Sequence, residues 1–147
     1  MNFRVNPAGG EPVYQQLLWQ VKRAVARGDL LPDERLPSVR ELAAELLINP
    51  NTIAKAYREM EREGLIYTQP GRGVFVRADR PTELTEAARE RILGELIERV
   101  VVEARLLGVS KDQLTGLFGT LVAGFGAGQA DSGTKRPAPD SNEGDAT

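Results

Sequence analysis

Cysteine and histidine are both missing from this chain of 147 residues. Their absence removes disulfides, Cys/His zinc sites, thiolate nucleophiles and any imidazole acid–base step. No Asp/Glu cluster of the EF-hand kind offers a carboxylate metal site in their place. Aromatic residues make up only 5% of the chain, too little for a large core around an enzyme-sized cavity. No run of about 18 apolar residues is present, and no basic, apolar, small-residue leader opens the chain. A cytoplasmic non-enzyme with no cofactor, no metal and no membrane span is expected.

What is present is ordinary for a soluble protein, 41% hydrophobic and 27% charged. The net charge of −2 is unevenly spread. Up to Arg77 eleven Lys and Arg face nine Asp and Glu, whereas beyond it eight face twelve. The asymmetry is mild, and charge alone selects no partner.

Four pieces follow one another along the chain. Residues 1–77 are dense in helix and strand signals. "ADRPTEL", residues 78–84, reads as a linker. Residues 85–125 look helical. From Gly126 onward no Leu, Ile, Val or aromatic residue occurs, so nothing offsets the entropy of ordering and a disordered tail is expected.

Within the first piece, "PVYQQLLWQVKRAVARG" carries Val13, Leu17, Val21, Ala24 and Val25 at helical spacing. Pro12 suits a first helical position and Gly28 a left-handed stop. A proline-rich connection, "DLLPDERLP", follows. Ser38 and Glu41 then form a capping box for a short helix bearing Val39, Leu42, Ala43 and Leu46. After "LIN", Asn49 is an N-cap and Pro50 an N1 residue for a third helix lined by Ile53, Ala56, Tyr57 and Met60 and ended by Gly64. Two β-rich runs, Leu65–Thr68 and Val74–Val76, flank Pro-Gly-Arg-Gly and read as a hairpin.

Two short helices joined by a tight turn, the second tipped with polar residues, form a helix-turn-helix pattern. In that geometry Asn51, Thr52 and Lys55 come to the major groove. Asn pairs bidentately with adenine, Thr bonds a base edge or packs on the thymine methyl, and Lys reaches guanine or phosphate. The competing reading for each is plain: small polar residues cap a solvated helix, and Arg58 and Arg62 pair with Glu59 and Glu63. The hairpin adds Gly71 and Gly73, which permit a tight tip, and Arg72, which a narrow minor groove would attract. Helices plus hairpin make a winged helix-turn-helix, so the fold class is mostly α with a small β-hairpin.

The stretch from Leu36 to Val76, "LPSVRELAAELLINPNTIAKAYREMEREGLIYTQPGRGVFV", resembles the DNA-binding domain of GntR-type bacterial transcription regulators. The resemblance runs from about Val13 to Val76, with "LPSVREL" and "GRGVFV" its strongest stretches. "NPNTIAKAY" followed by a compact helical region is similar to the YtrA subfamily. The resemblance implies DNA contacts by Arg40, by Asn49, Asn51 and Thr52 at the start of the recognition helix with Lys55 just inside it, and by Gly71 and Arg72 at the wing tip; Arg58 is a phosphate candidate. Arg40 also has a local alternative, pairing with Glu41 or Glu45. Two departures stand out. Pro50 occupies a position where some members carry arginine, and Leu47 one where the turn often has glycine.

Beyond the linker, Leu84, Ala88, Ile92, Leu96, Val100, Ala104 and Leu107 make a long amphipathic helix, broadened by Leu93, Ile97 and Val101. Gly108 closes it. Ser110 and Gln113 form a second capping box ahead of Leu114, Leu117, Phe118, Leu121, Val122 and Phe125. Two such helices cannot bury their own faces. They pack either on the winged-helix part of the same chain or, as two-fold DNA half-sites favour, on a second copy through Ile92, Leu96, Val100, Leu114, Phe118 and Leu121. The expectation is a homodimeric regulator of double-stranded DNA with an inverted-repeat operator. The resemblance further implies a repressor of its own operon and of ABC-type transporter genes, released by a small-molecule effector where one acts. The alternative is a winged-helix protein-interaction adaptor without DNA binding.

Overall fold

The computed structural model describes residues 1–77 and 84–126. The linker expected at 78–84 and the tail expected from Gly126 therefore lie, but for Leu84 and Gly126, outside the described residues. Eight elements follow in chain order: α1 (Val13–Arg27), β1 (Arg35–Leu36), α2 (Val39–Leu46), α3 (Pro50–Arg62), β2 (Ile66–Gln69), β3 (Gly73–Val76), α4 (Glu86–Leu106) and α5 (Lys111–Gly126). The winged helix-turn-helix order expected from the sequence is present.

Local chemistry sets most of the boundaries. α1 stops at Gly28, whose left-handed φ of 77° turns its N–H back to Ala24 and Val25 carbonyls. Pro12 is the N-cap of α1, not its first helical residue as the sequence suggested, because its ψ of 140° is extended. α2 has the expected capping box: the Glu41 N–H donates to Ser38 Oγ, and the Ser38 N–H donates to Glu41 Oε2. Asn49 caps α3 and Pro50 is at N1. Ser110 and Gln113 exchange the same reciprocal bonds ahead of α5.

The core forms where α1, α2, α3 and the sheet meet. Leu17 and Val21 of α1, Leu42 of α2, Ile53 and Met60 of α3, and Leu65, Ile66 and Val76 around the hairpin are fully enclosed. Burying an aliphatic side chain of this size contributes about 1.5–3 kcal/mol relative to exposure. Tyr57 donates its hydroxyl proton to the Pro37 carbonyl at 2.6 Å, so its polar end is satisfied inside this core. Burial pushes its ionisation far above the ordinary tyrosine value, so it stays a neutral donor.

Two features of the fold are absent from the sequence expectation. The connection between α1 and α2 holds strand β1, which pairs antiparallel with β3 and turns the hairpin into a three-stranded sheet ordered β1-β3-β2. Phe3, ahead of all assigned elements, is buried in the core. Two glutamines of α1 hold that leading segment by acting as pieces of backbone. Gln16 accepts from the Asn6 N–H at 2.8 Å and donates to the Asn6 carbonyl at 2.9 Å, and Gln20 does the same for Arg4.

Leu47 ends α2 in the left-handed region, at φ 55° and ψ 41°, the conformation that glycine adopts freely. The following Ile48 N–H donates to the Ala43 carbonyl at 3.0 Å, closing the helix end. The leucine side chain is 91% exposed, so it gains nothing from packing to offset the strain. Leu47→Gly should raise the unfolding free energy by about 1 kcal/mol, read as an upward shift of the urea midpoint at unchanged slope.

Candidate nucleic-acid interface

The buried face of α3 determines which of its side chains point outward. Ile53, Ala56, Tyr57 and Met60 are buried against α1, α2 and the sheet. With 3.6 residues per turn, Asn51, Lys55, Arg58 and Arg62 then fall in one stripe on the opposite side. The first three are exposed, and Thr52, set to the side, is half-buried. Asn49 stands at the head of the stripe, but its side-chain oxygen is committed to the cap, accepting from the Asn51 N–H at 2.9 Å. Its amide NH2 remains available to donate to another partner.

The charges on this stripe have different partners. Arg62 folds back on Glu59, with Nε and Nη2 donating to the same carboxylate oxygen at 2.9 and 2.7 Å, which raises the guanidinium pKa through that hydrogen bond and the charge of Glu59. Glu63 reaches across to Lys22 of α1 at 2.5 Å. The pairing weighed for Arg62 therefore exists, while Arg58 forms no ion pair among the described residues. Lys55 holds its ammonium 4.1 Å from the ring centroid of Tyr14 in α1.

Arg40 is the second residue of α2 and is exposed. Its local alternatives are not used, since among the described residues it pairs with neither Glu41 nor Glu45. Glu41 is instead engaged in the cap. The hydrogen bonds from the Ser38 N–H and hydroxyl, with a smaller attraction from Arg35, hold its carboxyl below the usual carboxylate range.

The hairpin turns at residues 70–72, with the Arg72 N–H donating to the Gln69 carbonyl at 3.0 Å. Gly71 has φ 75° and Arg72 is exposed at the tip. Behind the tip, Gly73 has φ 130°, and a Cβ there would stand 3.0 Å from Arg35 Nε. Arg35 of β1 thus lies across the base of the wing. Tyr67 and Phe75 stack with centroids 5.6 Å apart, and the Tyr67 hydroxyl donates to Asp33 at 2.9 Å, stiffening the hairpin.

Sequence reasoning missed Arg35 and Tyr14. A two-residue strand gives no periodic signal for the first. Nothing local signals the second, whose partner is 41 positions along the chain. Among the described residues no group of three or more His, Cys, Asp or Glu is placed to hold a metal ion.

Comparison with known proteins bears on the fold and the family. Residues 13–76 match the family model described as bacterial regulatory proteins, gntR family. The chain is similar to the HTH-type transcriptional repressor YtrA of Bacillus subtilis (strain 168), 37% identical over 112 residues, which cover 76% of this chain and 85% of that protein. It is also similar to the HTH-type transcriptional regulator Rv1152 of Mycobacterium tuberculosis, at 38% identity over 74% of this chain and 84% of that one. Among solved structures, a transcriptional antiterminator from Listeria monocytogenes EGD-e superposes with a TM-score of 0.73 at 28% identity, over 90% of this chain and 98% of that chain. A GntR family transcriptional regulator from Listeria monocytogenes gives 0.56 at 31% identity, over 76% and 96%.

Glu41 also makes α2 sensitive to acid. Its folded pKa lies below its unfolded one, so the cap stabilises the protein above the carboxylate range and loses that contribution as pH falls through the folded value. Glu41→Gln should therefore be destabilising at pH 7 and much less so near pH 3, measured as the difference in urea midpoints across that interval.

Proposed function

Because the chain belongs to the GntR family of bacterial regulatory proteins, in its YtrA group, we propose that this DNA-binding transcription regulator acts as a homodimeric repressor. Its operator is an inverted repeat. Residues 1–77 of each subunit bind one half-site, and residues 85–125 join the two subunits. Asn51 and Thr52 face base edges in the major groove, with the amide of Asn49 beside them. Arg40, Lys55 and Arg58 flank them on the phosphates, and Gly71 and Arg72 bring the wing tip to the adjacent minor groove. Repression is the action named for the similar Bacillus subtilis protein, and it follows from occupying promoter DNA. The genes controlled are its own operon and ABC-type transporter genes, as the subfamily resemblance implies.

The observation that carries this reading is the uncompensated outer surface of α3 and its neighbours: Arg40, Arg58 and Arg72 are exposed and form no ion pair among the described residues. Arg58 forms no ion pair even with Glu61, one turn along α3.

Dimerisation rests on a different observation. Ile92, Leu96 and Val100 of α4 and Phe118 and Leu121 of α5 are each between 41% and 54% exposed, and Ala104 is the only buried residue of α4. Leu114 is half-buried where the two helices meet. The alternative of packing on the winged helix of the same chain accounts for little of this face. α5 meets α1, with Arg27 5.2 Å over the ring of Phe125, and the stripe stays open. An apolar surface this continuous calls for a partner, and two-fold DNA calls for a second copy. An effector would act by changing the spacing of the two recognition helices across this joint.

Arg40→Ala and Lys55→Ala should each weaken binding to an operator duplex and lower the slope of log affinity against log salt by about one. Both variants should remain folded and dimeric by circular dichroism and analytical ultracentrifugation. Salt-independent or absent DNA binding by the wild-type chain would instead favour a protein-interaction adaptor. Leu96→Glu combined with Phe118→Glu should sediment as a monomer and lose most operator affinity, with the winged-helix unfolding transition retained.

A further inference from the structure

Lys55 and Arg62, on the same outer stripe of α3, have partners of opposite kinds. Arg62 meets a carboxylate, and its charge is cancelled. Lys55 meets an aromatic ring, which attracts a cation through its quadrupole but carries no net charge. The ordinary destination for Lys55 would be Glu59, one turn along the helix. One oxygen of that carboxylate, Oε2, already accepts two hydrogen bonds from Arg62. The arrangement steers the ammonium and leaves its full charge available.

The ring is well placed for this. Tyr14 is the second residue of α1, half-buried, and its hydroxyl accepts from Gln15 Nε2 at 3.1 Å. Because it belongs to the neighbouring helix, it holds the ammonium beside α1. A four-carbon side chain that is ordered before DNA arrives loses less rotamer freedom on binding. On the reading that this face binds DNA, we propose that Tyr14 is a positioning residue: its ring pre-orients the Lys55 ammonium toward the phosphate backbone without neutralising it. The contact served is electrostatic and independent of base sequence.

A double-mutant cycle on the full chain tests this, using a duplex that the wild-type protein selects from a randomised pool and a scrambled duplex of the same length. Tyr14→Leu keeps an apolar body at the site but no ring, and Tyr14→Phe keeps the ring without the hydroxyl. Tyr14→Leu should weaken binding to both duplexes about two- to fivefold at low salt. Tyr14→Phe should stay within about twofold of wild type, and Tyr14→Leu should add nothing in a Lys55→Met background. General loosening of the fold would appear in both backgrounds, so additive losses overturn the proposal. So does a Tyr14→Phe variant as weak as Tyr14→Leu, which would assign the effect to the hydroxyl. Loss of binding in Lys55→Met with wild-type affinity in Tyr14→Leu overturns the positioning role alone. Wild-type affinity in Lys55→Met overturns both that role and the placement of Lys55 in the interface.

Discussion

Burial of Ile53, Ala56, Tyr57 and Met60 against α1, α2 and the sheet sets the rotation of α3 about its axis, and the outer surface depends on that rotation. Turning the helix by one residue, about 100°, would carry large apolar groups into water at about 1.5–3 kcal/mol each. The stripe of Asn51, Lys55 and Arg58 is thus held outward by what is enclosed beneath it. Tyr57 adds direction to the hydrophobic term, because its buried hydroxyl has one acceptor, the Pro37 carbonyl at the entrance to α2. α2, with Arg40 at its start, is tied to α3 through that bond.

A chain with net charge −2 can still present a basic face if its acids are occupied elsewhere. Several acids near this face have local partners. Glu41 caps α2, Glu59 holds Arg62, Glu63 holds Lys22, and Asp33 accepts from Tyr67. Exposed ion pairs of this kind contribute little to stability, typically under about 1 kcal/mol. Their larger effect here is on the field: among the described residues Arg40, Arg58 and Arg72 form no ion pair, and a polyanion senses a local surplus more strongly than the net charge.

The two halves of the chain use apolar surface in opposite ways. In residues 1–77 it is enclosed, with Phe3 and two backbone-mimicking glutamines closing one side of the core. In α4 and α5 it is displayed, and the contact of α5 with α1 leaves most of it open. The same contact joins the surface proposed for dimerisation to the helix that carries Tyr14, so α1 touches both ends of the proposed mechanism.

Local chemistry was legible in the amino-acid sequence alone. Capping boxes at Ser38 and Ser110, the Asn49–Pro50 helix start, the Gly28 stop and the 3.6-residue stripes each depend on residues within a turn or two, so helix order and the inward face of α3 could be read directly. At Leu47 only the resemblance, whose turn often has glycine there, pointed to an unusual residue, and the left-handed backbone emerged from the structure. Tertiary structure alone decided the rest. β1 is two residues long, below any periodic signal, and becomes a strand only because β3 offers its free edge. Phe3 is buried against the core, and its leading segment is held there by Gln16 and Gln20, 10 and 16 residues from their partners. Arg62 could have stayed free and Lys55 could have taken Glu59. In the folded protein Arg62 takes Glu59, and Lys55 lies 4.1 Å from the ring centroid of Tyr14, 41 residues away in sequence. A helical pattern encodes neighbours one turn apart, and no local pattern encodes a contact made by packing one helix across another.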